Sequence, residues 1–256
     1  MKKLITILLL ILTLNLKGLT MKTIGLLGGT GWSSTIGYYT LLNKLVGDRL
    51  GGYHSAKIIL KSIDYHDIMS DYGKDPKKIA DILHTELMDL YGLNPDCIII
   101  CCNSLHKYYD MIKDDIYNDD KDIPVFHAVE LVAQYAKEKN YRKVLLLATK
   151  STMEDGFFAD IIKNQNIDVI IPELPERNAM QKILSEELIH NKITEQSRDY
   201  FAKIIAEHTD CDAVILGCTE FPLLVDTNNS ILPIINPVEL QCKAAIDYAL
   251  ESKHKI

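Results

Sequence analysis

Twice in this chain a proline opens a short apolar strand that runs straight into a helix. Pro124-Val125-Phe126-His127-Ala128-Val129-Glu130-Leu131 is answered 109 residues later by Pro233-Ile234-Ile235-Asn236-Pro237-Val238-Glu239-Leu240. Cys102-Asn103-Ser104 is answered 116 residues later by Cys218-Thr219-Glu220, each triplet following an apolar run. Lys22-Thr23-Ile24-Gly25-Leu26-Leu27 likewise has a partner in Lys143-Val144-Leu145-Leu146-Leu147-Ala148. The elements recur in the same order, which is the mark of an internal duplication.

Four runs read as buried parallel strands, being short, nearly continuous and apolar: Thr23 to Leu27, Cys97 to Cys101, Val144 to Ala148 and Ala213 to Leu216. Helical periodicity fills the spaces between them, as in Pro76 to Tyr91 and Thr194 to His208. The expected fold class is α/β, with two similar parallel-sheet lobes related by a pseudo-two-fold and an active site in the cleft between them. The expected first lobe comprises residues 21–123 with 231–256, and the second residues 124–230.

Residues 1–20 are of another kind. Lys2 and Lys3 precede an apolar run from Leu4 to Leu16, the charged start and short hydrophobic stretch of a secretory signal, too short for a comfortable bilayer span. No small-x-small cleavage site follows, and a second Met stands at Met21, where the folded domain is expected to begin. Two readings stand: an export signal, or an upstream extension of a cytoplasmic protein. All six cysteines, at 97, 101, 102, 211, 218 and 242, sit mostly within apolar runs and read as reduced thiols, which favours the cytoplasm. A net charge of −7 without a basic stripe argues against nucleic acid as a partner. The acidic run from Asp114-Asp115 to Asp122 reads as a solvated loop.

In α/β sheets ligands bind outside the carboxyl ends of the strands. That rule selects Gly28-Gly29-Thr30-Gly31, Cys102-Asn103-Ser104, Thr149-Lys150-Ser151-Thr152 and Gly217-Cys218-Thr219-Glu220. If the lobes are related by a two-fold, Cys102 and Cys218 approach one bound molecule from opposite sides. Two opposed proton-exchanging groups are what inversion of a carbon acid requires. Asn103, Ser104 and Thr219, with nearby main-chain N–H groups, are expected to bind a substrate carboxylate and stabilise the carbanion. Cys97, Cys101, Cys211 and Cys242 read as packing. Cys101 and Cys102 are adjacent on an extended strand and point to opposite faces, which weakens a zinc site of Cys101, Cys102 and His106. His106 itself reads as packing. Gly25, Gly28, Gly29 and Gly31 lack dinucleotide-fingerprint spacing, and no Walker lysine follows. No cofactor and no metal are expected; the expected partner is a small molecule, with a homodimer compatible.

At these residues the chain resembles the aspartate/glutamate racemase family, cofactor-independent enzymes with two α/β lobes and a cysteine from each. The match runs from about Met21 to the C-terminus and is best at Ile24-Gly25-Leu26-Leu27-Gly28-Gly29, Cys102-Asn103-Ser104-Leu105-His106-Lys107 and Gly217-Cys218-Thr219-Glu220. The resemblance implies an amino-acid racemase that needs no pyridoxal phosphate, with Cys102 and Cys218 as acid and base. It implies that Asn103, Ser104, Thr219 and Glu220 touch the substrate and that Thr30 lines the pocket. Members specific for acidic substrates place an arginine in the region of Ser70 to Lys74, where this chain offers Lys74 as the cation. It also departs at Thr30, where many relatives have Met, at Asn236-Pro237 in place of Asp-Thr, and at Gln241 in place of His. Alternatives are a related decarboxylase or cis–trans isomerase, or a non-catalytic amino-acid-binding protein.

Overall fold

The computed structural model describes residues 21–116 and 123–251, so the signal-like segment 1–20 and the part of the acidic run at 117–122 lie outside it. The chain begins with β1 (Ile24–Gly28), followed by α1 (Trp32–Leu50), β2 (Ile58–Ser62), α2 (Tyr65–Met69), α3 (Pro76–Gly92), β3 (Cys97–Ile100) and α4 (His106–Ile116). The second half runs α5 (Ala128–Glu138), β4 (Lys143–Leu147), α6 (Lys150–Glu154), α7 (Phe157–Lys163), β5 (Asp168–Ile170), α8 (Leu174–Glu186), α9 (Glu195–Ala206), β6 (Ala213–Leu216), β7 (Ile234–Ile235) and α10 (Pro237–Leu250). Asp114 and Asp115, expected in a loop, instead lie exposed on the last turn of α4. The helix continues through them because Ile112 and Ile116, four residues apart, are both buried.

The four strands expected from apolar runs are β1, β3, β4 and β6, each the centre of its sheet or next to it. Two parallel sheets result, ordered β2-β1-β3 and β5-β4-β6-β7. The first is extended beyond β3 by a parallel bridge between Ile98 and Val125, so both sheets carry four strand positions in the same order. The duplication read from the sequence is thus a duplication of topology. We propose lobe boundaries a few residues later than those expected from the sequence. Val125 completes the first sheet and Ile234–Ile235 the second, because the chain leaves each lobe only after laying down its fourth strand. We therefore draw the lobes as 21–126 with 236–251, and 127–235.

The helices that follow those last strands pack in the opposite lobe. Val129, Val132 and Ala136 of α5 join the core around β4 and β6. Cys242, Ala245, Ile246 and Ala249 of α10 pack with Ile24, Leu26, Tyr38 and Ile99 against the first sheet. Each fully buried Leu or Ile contributes about 1.5–3 kcal/mol relative to exposure, so the exchanged helices tie the lobes together. At the seam, Gln241 is fully buried; its amide accepts from the Tyr38 hydroxyl at 2.5 Å and donates to Phe126 O at 2.7 Å. Among the described residues no helix is long and apolar enough to cross a membrane.

Candidate active site

Parallel strands put all their carboxyl ends on one side of each sheet, and the loops leaving those ends meet between the lobes. After β1 the chain turns through Gly29 (φ 94°) and Gly31 (φ 92°). A Cβ on Gly29 would stand against the main chain of Ile63, 2.6 Å from its nitrogen. Gly29→Ala is expected to cost at least about 2 kcal/mol of stability, since a left-handed backbone and a main-chain collision add. A urea midpoint equal to wild type would refute this.

Cys102 leaves β3 in extended conformation and precedes the 3-10 turn Asn103–Leu105 that opens α4. Its side chain joins the layer packed against α3 and α4, whereas Cys101 points into the layer beneath α1 and α10. Cys218 stands after β6 at the equivalent place in the second lobe. The two thiols are 9% and 6% exposed. Between them the lobes touch directly, Asn103 Nδ2 donating to Gly217 O at 2.9 Å. Lys107 Nζ pairs with Asp155 Oδ2 at 3.1 Å across the same cleft.

The surroundings of the two thiols differ. Cys102 Sγ lies 3.4 Å from Ser104 Oγ. Burial raises its pKa, while Ser104 and the Leu105 N–H pull the other way. Cys218 Sγ donates to Glu220 Oε2 at 3.1 Å, and Thr219 Oγ1 donates to the same oxygen at 2.9 Å. Burial pushes Cys218 well above its ordinary value, the Glu220 carboxylate adds to this, and so does Cys102. Glu220 also reaches back toward the first lobe: a Cβ on Gly31 would stand 3.0 Å from its Oε1.

Three buried polar atoms here have no hydrogen-bond partner among the described residues: Thr30 Oγ1, Ser34 Oγ and Asn103 Oδ1. Unsatisfied buried polar atoms are rare and cluster where a polar ligand is received. Thr30, Asn103, Ser104, Thr219 and Glu220 are thus brought together around the thiols. Lys74 is not: it is exposed, and its ammonium donates to Ser70 O at 2.9 Å. A cavity of about 230 Å³ adjoins the thiols, with Ser34, Thr219, Glu220 and Asn236 in its wall, although neither cysteine lines it.

Tyr65 and Tyr72 escaped the sequence reading. Burial raises the Tyr65 pKa, and the charges of both thiols and Glu220 add to the shift. Tyr72, bonded to Ser104, is pushed up to about 12 by burial. Both follow β2, whose sequence mixes Lys61 and Ser62 with apolar residues; had that strand been visible, the strand-end rule would have found Tyr65.

His106 and His127 read as structure. Burial holds His106 well below its ordinary pKa, and its Nε2 accepts from Ala128 N at 3.4 Å. Among the described residues the group with metal-ligand spacing is Asp110, His127 and Glu130. There His127 Nδ1 accepts from Glu130 N at 3.2 Å as the cap of α5, which puts the ring proton on Nε2, 3.6 Å from Asp110 Oδ2. A ring in that tautomer offers a cation no lone pair, and Lys113 already neutralises Asp110 at 2.9 Å.

The family model for Asp/Glu/Hydantoin racemase matches residues 27–245. A Yersinia pestis protein ascribed to the Asp/Glu racemases is 36% identical; its crystal structure covers 90% of this chain and 100% of its own, with a TM-score of 0.80. An aspartate racemase homologue from Pyrococcus horikoshii is 25% identical over 90% of this chain and 100% of its own, at a TM-score of 0.78. A glutamate racemase from Hydrogenobaculum is 26% identical over 74% of each chain.

Proposed function

Since this chain belongs to the Asp/Glu/Hydantoin racemase family, an isomerase-type family, we propose that it inverts an amino-acid α-carbon by proton transfer between Cys102 and Cys218. The observation that carries the reading is the placement of two buried thiols at equivalent strand ends of two duplicated lobes. One thiolate removes the α-proton while the opposite thiol protonates the other face; the roles reverse for the mirror substrate. The charge next to Cys218 differs from that next to Cys102. Glu220 holds Cys218 as the resting thiol, and Ser104 with the Leu105 N–H favours the thiolate at Cys102.

The orphaned polar atoms supply the grip. Asn103 spends its amide N–H on Gly217 O, which leaves its carbonyl oxygen to receive the substrate ammonium. The Thr30 and Ser34 hydroxyls are donors for the α-carboxylate, where charge builds as the carbanion forms. All of this chemistry is supplied by the chain's own side chains, so the reaction is proposed to need no pyridoxal phosphate. Single-enantiomer amino acids incubated with the protein in D₂O test the reading. α-Deuteration with loss of optical rotation supports it; retained α-protium would sink it and leave a binding protein.

Relatives named for glutamate and aspartate point to an acidic substrate, whose side-chain carboxylate needs a cation when buried. Lys107 and Arg177 are each neutralised by a carboxylate, Asp155 and Glu154. Lys74 donates to a main-chain carbonyl and lies exposed, outside the cluster around the thiols; we assign it the side-chain carboxylate, which it would reach by leaving Ser70 O and turning into the cleft when substrate binds. Lys74→Ala is expected to raise KM for aspartate or glutamate about tenfold, the order of one charge-assisted hydrogen bond. An unchanged KM on the acidic pair, or a wild-type preference for neutral amino acids, rejects the assignment.

A further inference from the structure

The chain passes between its lobes twice, outward just after Phe126 and back at Asn236-Pro237, and one buried side chain stands by both passages. Gln241 lies one turn into α10 beyond Pro237 and is fully buried. Its amide nitrogen donates to Phe126 O at 2.7 Å and lies 3.3 Å from His106 Nε2, while its carbonyl oxygen accepts from the Tyr38 hydroxyl at 2.5 Å. Phe126 O can only accept, which fixes the way the amide faces and leaves His106 Nε2 as an acceptor. The same ring nitrogen accepts at 3.4 Å from the N–H of Ala128, the first residue of α5. Gln241 and His106 therefore hold the outgoing passage on either side of His127. The helices that leave the two passages, α5 and α10, pack on one another.

Elements joined at this amide carry parts of the site. His106 opens α4 directly after the turn that follows Cys102, and Tyr38 lies one turn along α1 from Ser34 in the cavity wall. Filling the volume does not call for an amide, since an apolar side chain of similar size packs as well or better. A buried amide whose two N–H groups and carbonyl all have partners admits one arrangement of those partners, where an apolar core tolerates several. We propose that Gln241 is a positioning residue that pins the outgoing passage to the first lobe and so sets the angle at which Cys218 meets a substrate held at Cys102. Its bonds are all to protein groups, so it acts through the lobes and not on the substrate. The direct ties across the cleft, Asn103 Nδ2 to Gly217 O and Lys107 to Asp155, depend on the same angle. The effect on the thiols rests on the racemase reading; the pinning of the passage does not.

Gln241→Leu and the milder Tyr38→Phe, each in the full chain, test the proposal. Backbone amide exchange followed by mass spectrometry should be about tenfold faster across residues 126–130 in Gln241→Leu, the worth of one hydrogen bond, and unchanged across α3. With a single-enantiomer amino acid in D₂O, wild type should take up deuterium as it inverts. In Gln241→Leu inversion should fall by about tenfold or more, with deuterium now entering the starting enantiomer in excess of inversion, because Cys102 still takes the α-proton while Cys218 is out of line. Tyr38→Phe should move the ratio of exchange to inversion the same way, by about two- to threefold. A residue that only stabilises the fold would lower exchange and inversion together; that result, or unchanged amide exchange at 126–130, overturns the proposal. Should Gln241→Leu fail to fold, Tyr38→Phe decides, and an unaltered ratio there overturns it. A wild type inert toward the α-proton refutes the racemase reading, and amide exchange at 126–130 in the two variants then decides whether the passage is pinned.

Discussion

Cys102→Ala and Cys218→Ala are each expected to reduce racemisation by about 10²- to 10⁴-fold or more, the range over which a positioned acid or base acts. The loss should not be symmetric in every assay. With Cys218 removed, Cys102 can still take the α-proton of one enantiomer and return a solvent-derived proton to the same face. Deuterium then enters that enantiomer without inversion, and the other enantiomer is inert; Cys102→Ala should show the opposite preference. Polarimetry and proton NMR on the same samples separate exchange from inversion. Cys97→Ala and Cys242→Ala serve as controls, because both thiols are buried in the layer beneath α1 and α10, away from the cleft. Racemisation at the wild-type rate in either single variant of the cleft pair would falsify the two-base mechanism.

Glu220→Gln is expected to move the pH dependence and to lower the maximal rate. The base must be a thiolate, so kcat/KM should rise with pH as a raised thiol pKa is crossed. Cys218 is held high first by burial and then by the adjacent carboxylate. Removing that negative charge makes the thiolate less costly, so the alkaline limb governed by Cys218 should shift to lower pH. At the same time the Sγ–H to Oε2 bond of 3.1 Å is lost as a charge-assisted bond, and with it the orientation of the proton to be delivered. A drop in kcat of about tenfold or more is anticipated, charge-assisted hydrogen bonds contributing about 1.5–3 kcal/mol. A limb that stays in place or moves upward shows that Glu220 does not govern Cys218.

The site was legible only where a strand announced it. Cys102, Asn103, Ser104, Thr219 and Glu220 follow long apolar runs, and those runs form the central strands that are buried on both faces. Tyr65 and Tyr72 follow an edge strand, where polar residues are tolerated and hydrophobic continuity is lost. Ser34 was equally silent, because nothing local distinguishes a serine in the first turn of a helix from one that faces a cleft. Lys74 shows the converse: its place in the sequence suggested a pocket residue, whereas its side chain lies exposed against Ser70 O.

What the sequence determined by itself was the alternation of strands and helices, the duplication and the pair of thiols, because periodicity and repeat are properties of local order along the chain. The tertiary structure decided which lobe each closing segment joins. Val125 and Ile234–Ile235 are too short to declare a partner, and their placement follows from open strand edges beside Ile98 and Val214 and Ile215. It also decided the difference between the two thiols. Both triplets begin alike in sequence, but only folding places the Glu220 carboxylate against Cys218 and Ser104 with the Leu105 N–H against Cys102. Proton affinity depends on burial and on charges brought near through space, and neither is written in the order of residues.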